Sequence, residues 1–288
     1  MSERPSYLQR MRHWPRFFAR AETNPGHLYD LRGDAAVVTG GDTPVVNMGY
    51  WKDVAPREAR SLERANEALF ALVADGAGIT AGSTVVDAGC GFGSLALHLV
   101  ERFTPARMTG VNVSSVQLAI ARQRVAAAGR EGQVEFHHGS VTALPMADAS
   151  VDAVVSTEAA FHFDTRDAFL AEAFRVLRPG GRLSLVDLVV LPPPSFLWHG
   201  ALTAVARSQA IPRANVYDSA EYLRRVTRAG FVVEESESIH DRVFAPFRWW
   251  LLTRPPTYLL RYDVVFLAAS LPFLVYPFDY LRLVARKP

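Results

Sequence analysis

From residue 83 onward, short runs of β-branched and apolar residues alternate with longer helical stretches. That rhythm restricts the chain to a largely parallel sheet covered by helices, because each parallel return needs a crossover long enough to hold a helix. Strands are expected at 84–88, 108–113, 134–137, 151–156, 183–188 and 231–236, with a last one at 280–285. Helices are expected at 94–101, 115–128, 166–177 and 219–229; Pro179-Gly180-Gly181 ends the third and Gly230 the fourth. Two regions break the rhythm. Residues 1–80 precede the sheet and read as a helical arm and lid; 81–288 form the sheet domain, interrupted at about 189–216 and 239–277. The interruptions concentrate Pro192, Pro193, Pro194, Trp198, Phe244, Phe247, Trp249 and Trp250, and insertions at a sheet edge are where covers over small ligands sit.

Composition narrows the function. The formal charge is only +2, too balanced for a dedicated nucleic-acid binder. Cys90 is the one cysteine, so no internal disulfide is available, which suits a reducing, cytoplasmic setting. The first twenty residues lack the apolar run of a secretory signal but interleave Arg10, Arg12, Arg16 and Arg20 with Leu8, Trp14, Phe17 and Phe18. Such a patch either packs on its own domain or rests on a membrane surface. The greasy stretch 264–278 carries Pro272 and Pro277 and is shorter than the roughly 20 apolar residues needed to span a bilayer.

The chemistry is carried by Val85-Val86-Asp87-Ala88-Gly89-Cys90-Gly91-Phe92-Gly93, in which a buried strand runs into a glycine turn and then a helix. Glycines let a ligand approach the backbone closely, and the following helix start offers free N–H groups. Nicotinamide and flavin sites use related turns. A carboxylate at Asp87 suits a cationic ligand and would repel a pyrophosphate.

In these residues the chain resembles the class I S-adenosylmethionine-dependent methyltransferases, in particular their small-molecule, natural-product group. The likeness runs over about 47–288 in ordered blocks: Asn47-Met48-Gly49-Tyr50-Trp51, the glycine turn, Gly110-Val111-Asn112-Val113-Ser114 with Gln117, Leu144-Pro145, Ser150-Val151-Asp152-Ala153-Val154, and Arg175-Val176-Leu177-Arg178-Pro179-Gly180-Gly181. The resemblance implies an α/β, Rossmann-like, mostly parallel seven-stranded sheet with helices on both faces, an antiparallel last strand, an N-terminal segment and helical or aromatic cap insertions. It implies S-adenosyl-L-methionine as cofactor and no metal. Asp87 with the backbone of Gly89, Cys90, Gly91 and Gly93 would hold its methionine end. Asn112, Val113 and Gln117 would meet the ribose, with Asn112 standing where the family usually has an acid. Ser140 and Val141 would lie beside the adenine, and Tyr50 and Trp51 would cover the cofactor.

For the transfer itself, Glu158-Ala159-Ala160-Phe161-His162-Phe163 follows the fourth strand, at the sheet edge where ligands bind in such folds. A hydroxyl acceptor needs a base tuned near neutral pH, and His162 has the right type and place. Sugar O-methyltransferases resembling this chain often have a His-His pair here; Phe161 occupies the first position. Asp187 is a candidate to orient the histidine or act as base, and Glu158 to touch the acceptor or the cofactor. The adjacent His137 and His138 point to opposite faces of a strand and make no metal site.

The interruptions are mainly apolar, with Arg207, Arg213, Arg248 and Arg254 as charged anchors, so the expected partner is a lipophilic small molecule such as a polyketide or terpenoid. Methylation at a hydroxyl oxygen is the leading expectation. Methylation of an alkene or aromatic carbon, with Phe161, Phe163, Trp249 or Trp250 facing a cationic intermediate, is the alternative. A membrane-surface enzyme acting on a lipid or quinone and a non-catalytic cofactor-binding relative also remain open, and oligomeric state is unreadable from the sequence.

Overall fold

The computed structural model describes residues 47–191, 211–254 and 278–288. Seven strands form one sheet: β1 (Thr84–Ala88), β2 (Arg107–Asn112), β3 (Val134–His138), β4 (Val151–Thr157), β5 (Leu177–Val190), β6 (Val232–Ser238) and β7 (Phe278–Arg286), in the order β3-β2-β1-β4-β5-β7-β6. The pairs from β3 through β5 are parallel, and β7 runs antiparallel between β5 and β6. Six α-helices accompany it among the described residues: α1 (Ser61–Ala77), α2 (Ser94–Phe103), α3 (Ser115–Ala127), α4 (Arg166–Val176), α5 (Ser219–Arg228) and α6 (Phe244–Leu252).

Side chains alternate across the pleat, and both faces of the central strands are apolar, as a sheet covered on two sides requires. Val85, Val155 and Val186 pack with α1, α2 and α6, whereas Val86, Val154 and Leu185 pack with α4 and α5. The helix starts follow local chemistry. Ser114, Thr165 and Asp218 each accept a backbone N–H from the first turn of α3, α4 and α5.

The parallel sheet, four of the helices and the last strand lie where the sequence placed them, within a few residues. The main difference is β5, which begins at Leu177 instead of 183 because the Arg178–Gly181 turn is woven into the sheet. Leu177 pairs with Val151, Arg182 already pairs with Ala153, and the excursion between them is tied to the chain's end by Gly180 N–H to Lys287 O at 2.8 Å and Lys287 N–H to Gly181 O at 2.9 Å. The exposed edge strand β6 carries Glu234, Glu235 and Glu237, which pair with Arg182, Arg282 and Arg286, a charged edge that discourages pairing with another sheet.

Within the region read as arm and lid, α1 lies along the sheet with Leu62, Leu69, Phe70 and Val73 buried, and ends at Gly78 in the left-handed conformation. The basic N-terminal patch, most of the 264–278 stretch and the anchor Arg207 lie outside the described residues. Both interruptions of the sheet are closed at their base. Val190 N–H donates to Tyr217 O at 3.1 Å, and Ile239 N–H to Tyr280 O at 2.8 Å. No helix among the described residues is long and apolar enough to cross a membrane.

Candidate active site

The parallel strands end at one edge of the sheet, and the glycine turn after β1 sits there. Gly89 N–H and Cys90 N–H both donate to Val111 O, at 2.9 and 3.2 Å, which ties the turn to β2. Gly93 N–H returns to Cys90 O at 2.9 Å, and α2 starts at the next residue with no side chain capping it. Two glycines do different work. A Cβ on Gly89 would lie 2.5 Å from the Ala159 Cβ, so this glycine lets the turn pack against the loop after β4. At Gly91, with φ +50°, a Cβ would meet nothing within 4 Å among the described residues, which leaves room for a ligand against the backbone there.

Asp87, at the end of β1, is 2% exposed, and its Oδ2 has no hydrogen-bond partner among the described residues. Burial pushes its pKa up to about 7. A native fold seldom leaves a buried carboxylate oxygen unsatisfied, and a ligand cation beside it would supply the missing partner. An orphaned carboxyl, an open glycine backbone and an uncapped helix start fit a ligand with an ammonium, a sulfonium and a carboxylate. Those are the groups of the methionine end of S-adenosylmethionine.

At the end of β2, the buried Asn112 donates from Nδ2 to Gln117 Oε1 at 2.8 Å, and its Oδ1 accepts the Val113 N–H at 2.9 Å. These two side chains form a neutral amide pair where the family resemblance implies an acid. Ser140 is exposed in the loop after β3 and accepts the Thr142 N–H, while Val141 beside it is buried. His138 places a ring nitrogen 3.0 Å from Val113 O, and no metal-binding cluster exists among the described residues.

The loop after β4 begins at Glu158. Glu158 takes a left-handed φ of 51°, and its Oε1 accepts the Met48 N–H at 2.8 Å. Burial pushes its carboxyl up to about 7. Glu158 thus fastens the entry segment to the sheet edge. That segment continues to Tyr50, whose hydroxyl accepts from Arg242 at 2.8 Å, and Trp51, whose Nε1–H donates to Met48 O at 2.8 Å and whose ring packs 6.5 Å from that of Trp250. The sequence expectation for Trp51 is a cofactor cover; the structure places its ring in the core facing α6.

His162 ends a short 3-10 turn, Ala160–His162, and is 9% exposed, with its ring centroid 4.0 Å from that of Phe161. Asp187 is not a free base. It is fully buried, its Oδ2 accepts from Arg166 Nε at 2.8 Å, and its Oδ1 accepts the Phe161 N–H at 3.0 Å. Both oxygens are engaged, so its influence on His162 runs through the backbone of the turn. Arg166 and Asn215, which complete this arrangement, carried no signal in the sequence, since a lone arginine at a helix start and an asparagine after an insertion are ordinary surface residues.

Residues 86–185 match the family described as "Methyltransferase domain". The chain is 33% identical over 215 residues to erythromycin 3''-O-methyltransferase of Saccharopolyspora erythraea, covering 72% of this chain and 68% of that protein. It is 30% identical over 214 residues to 27-O-demethylrifamycin SV methyltransferase of Amycolatopsis mediterranei, covering 74% and 75% respectively. The crystal structure of geranyl diphosphate C-methyltransferase from Streptomyces coelicolor A3(2) superposes with a TM-score of 0.74 at 19% identity, over 93% of this chain and 98% of that one, a likeness of fold. With an orphaned carboxyl and an open glycine turn at the edge of this sheet, and relatives of this identity and coverage, the chain belongs to the S-adenosylmethionine-dependent methyltransferases.

Proposed function

We propose that the protein methylates a hydroxyl oxygen of a lipophilic natural product, with His162 removing the hydroxyl proton. The observation that carries this reading is a juxtaposition on one sheet edge. A buried carboxyl whose Oδ2 has no partner among the described residues stands at the end of β1, and a histidine is fixed in the turn after β4. The erythromycin and rifamycin relatives support oxygen as the methylated atom and a natural product as the acceptor.

When bound, S-adenosylmethionine supplies an electrophilic methyl group on a sulfonium. Asp87 balances its positive charge, the Gly91 backbone leaves room for it, the Asn112–Gln117 amides meet the ribose, and Ser140 and Val141 border the adenine. An in-line transfer needs little more than donor and acceptor held at near-attack distance, and a ring nitrogen of His162 accepts the proton that the hydroxyl loses. The buried rings of Phe161, Phe247 and Trp250 and the exposed Trp249 and Leu252 on α6 support a greasy acceptor and a peripheral contact with lipid. One observation favours methylation at carbon instead, namely the Phe161 ring against His162 where the family's paired histidines place their first imidazole.

Mass spectrometry of candidate metabolites incubated with methyl-labelled cofactor tests both readings. A label on oxygen, with turnover reduced roughly 10²–10⁴-fold in His162→Ala, is the expected result. A label on carbon, or a His162→Ala enzyme that turns over at the wild-type rate, overturns the oxygen reading with His162 as base.

A further inference from the structure

We infer that Asn215 is a positioning residue for His162, linking the acceptor-side insertion to the place of the imidazole. This rests on the proposed role of His162 in proton removal. Asn215 lies in the 3-10 turn Arg213–Asn215, near the end of the 189–216 interruption, and it is 2% exposed. Its Nδ2 donates to Phe161 O at 3.2 Å and to Phe163 O at 2.7 Å. These are the carbonyls on either side of His162 in the chain, so one amide grips both flanks of the residue. Its Oδ1 accepts the Arg166 N–H at 2.9 Å, which locks the amide in the orientation that presents both N–H groups to the turn.

The grip is itself held. Arg166 is 1% exposed and donates from Nη1 to Asn215 O at 2.5 Å, from Nε to Asp187, and from Nη2 to Leu188 O. Its guanidinium lies 4.9 and 4.7 Å from the ring centroids of Tyr217 and Tyr222. Asp187 holds the Phe161 N–H from the other side. The His162 turn is therefore fixed through its N–H by β5 and through two carbonyls by Asn215, with Arg166 bonded to both anchors. Buried polar networks of this kind act as a unit, because any missing partner leaves a desolvated group unpaired. A shift of about 1 Å in a catalytic group costs on the order of 10²-fold in rate, so such an anchor acts on turnover without touching the acceptor.

The test uses the full chain with labelled histidine side chains, and the His162 ring signal is identified as the one absent from His162→Gln. Asn215→Asp retains the acceptor for Arg166 and removes both donors to the turn, and Asn215→Ser is the milder variant if the first folds poorly. In either, the His162 ring signal should move or broaden while those of His98 and His137 stay. Calorimetric affinity for S-adenosylmethionine should remain within about twofold, and kcat on the acceptor returned by the labelled-methyl screen should fall about 10–100-fold. In a His162→Gln background the same substitution should cost almost nothing further. An unmoved His162 signal, or an equal loss of kcat in both backgrounds, overturns the inference. Should His162→Gln alone keep wild-type turnover, the base role fails, while the ring signal still decides whether Asn215 positions the histidine.

Discussion

Replacing Asp87 by asparagine should make the protein more stable and unable to bind its cofactor tightly. The carboxyl is buried without a partner for Oδ2, and its pKa stands at about 7 against an ordinary 3.8. The folded chain therefore holds this proton more tightly than the unfolded chain, so stability falls as the pH rises from about 4 to about 7. A difference of about 3 units at 1.36 kcal/mol each puts the cost of the ionised carboxylate at about 4 kcal/mol above pH 7. The asparagine amide carries no charge to desolvate, so urea unfolding at pH 8 without ligand should show Asp87→Asn more stable by up to that amount. The advantage should shrink as the pH falls and vanish near pH 4. Cofactor binding shows the other side of the same charge. Wild-type affinity for S-adenosylmethionine, measured by calorimetry, should drop about tenfold per pH unit below 7, because the carboxyl must lose its proton to meet a cation. Asp87→Asn should bind weakly at every pH. A variant less stable than wild type at pH 8, or one that binds the cofactor with undiminished affinity, would refute this account of the turn.

Two other substitutions probe the same edge of the sheet. Gly91→Ala adds a methyl that meets no protein atom, so unfolding experiments should show only the cost of a left-handed alanine, about 1–2 kcal/mol, whereas calorimetry should show cofactor affinity reduced by more than about tenfold. Arg166→Met leaves Asp187 buried without its partner and should cost about 3–5 kcal/mol in urea unfolding; a loss under about 1 kcal/mol would mean the ion pair is not what anchors this corner.

The sheet and its glycine turn are legible because their signals are local. The apolar runs of β4 and β5 and the run from Asp87 to Gly93 each depend on residues a few positions apart. The roles around His162 are not, because they are set by partners far along the chain. Asp187 reads as an orienter of the histidine or a base at a strand end, and its Oδ2 is taken by Arg166, 21 positions earlier. Glu158 reads as a ligand contact, yet it holds Met48 across 110 positions. Trp51 reads as a cover, and its place in the core depends on Trp250, which lies in an interruption with no periodic pattern to locate it. Which neighbour claims a polar atom is a tertiary fact, and no local pattern encodes it.

At the base of each interruption a backbone hydrogen bond joins the two sides, Val190 to Tyr217 and Ile239 to Tyr280. A stretch closed at its base in this way can change in length at small cost to the strands beneath, since each doubling of a loop adds only about 0.6 kcal/mol to its closure. On the function proposed above, the glycine turn and the strands beneath it would hold the donor, and the two interruptions would be where the acceptor is selected. Replacing the segment between Val190 and Asn215, with Asn215 kept, should then change the acceptor taken while cofactor affinity stays in place.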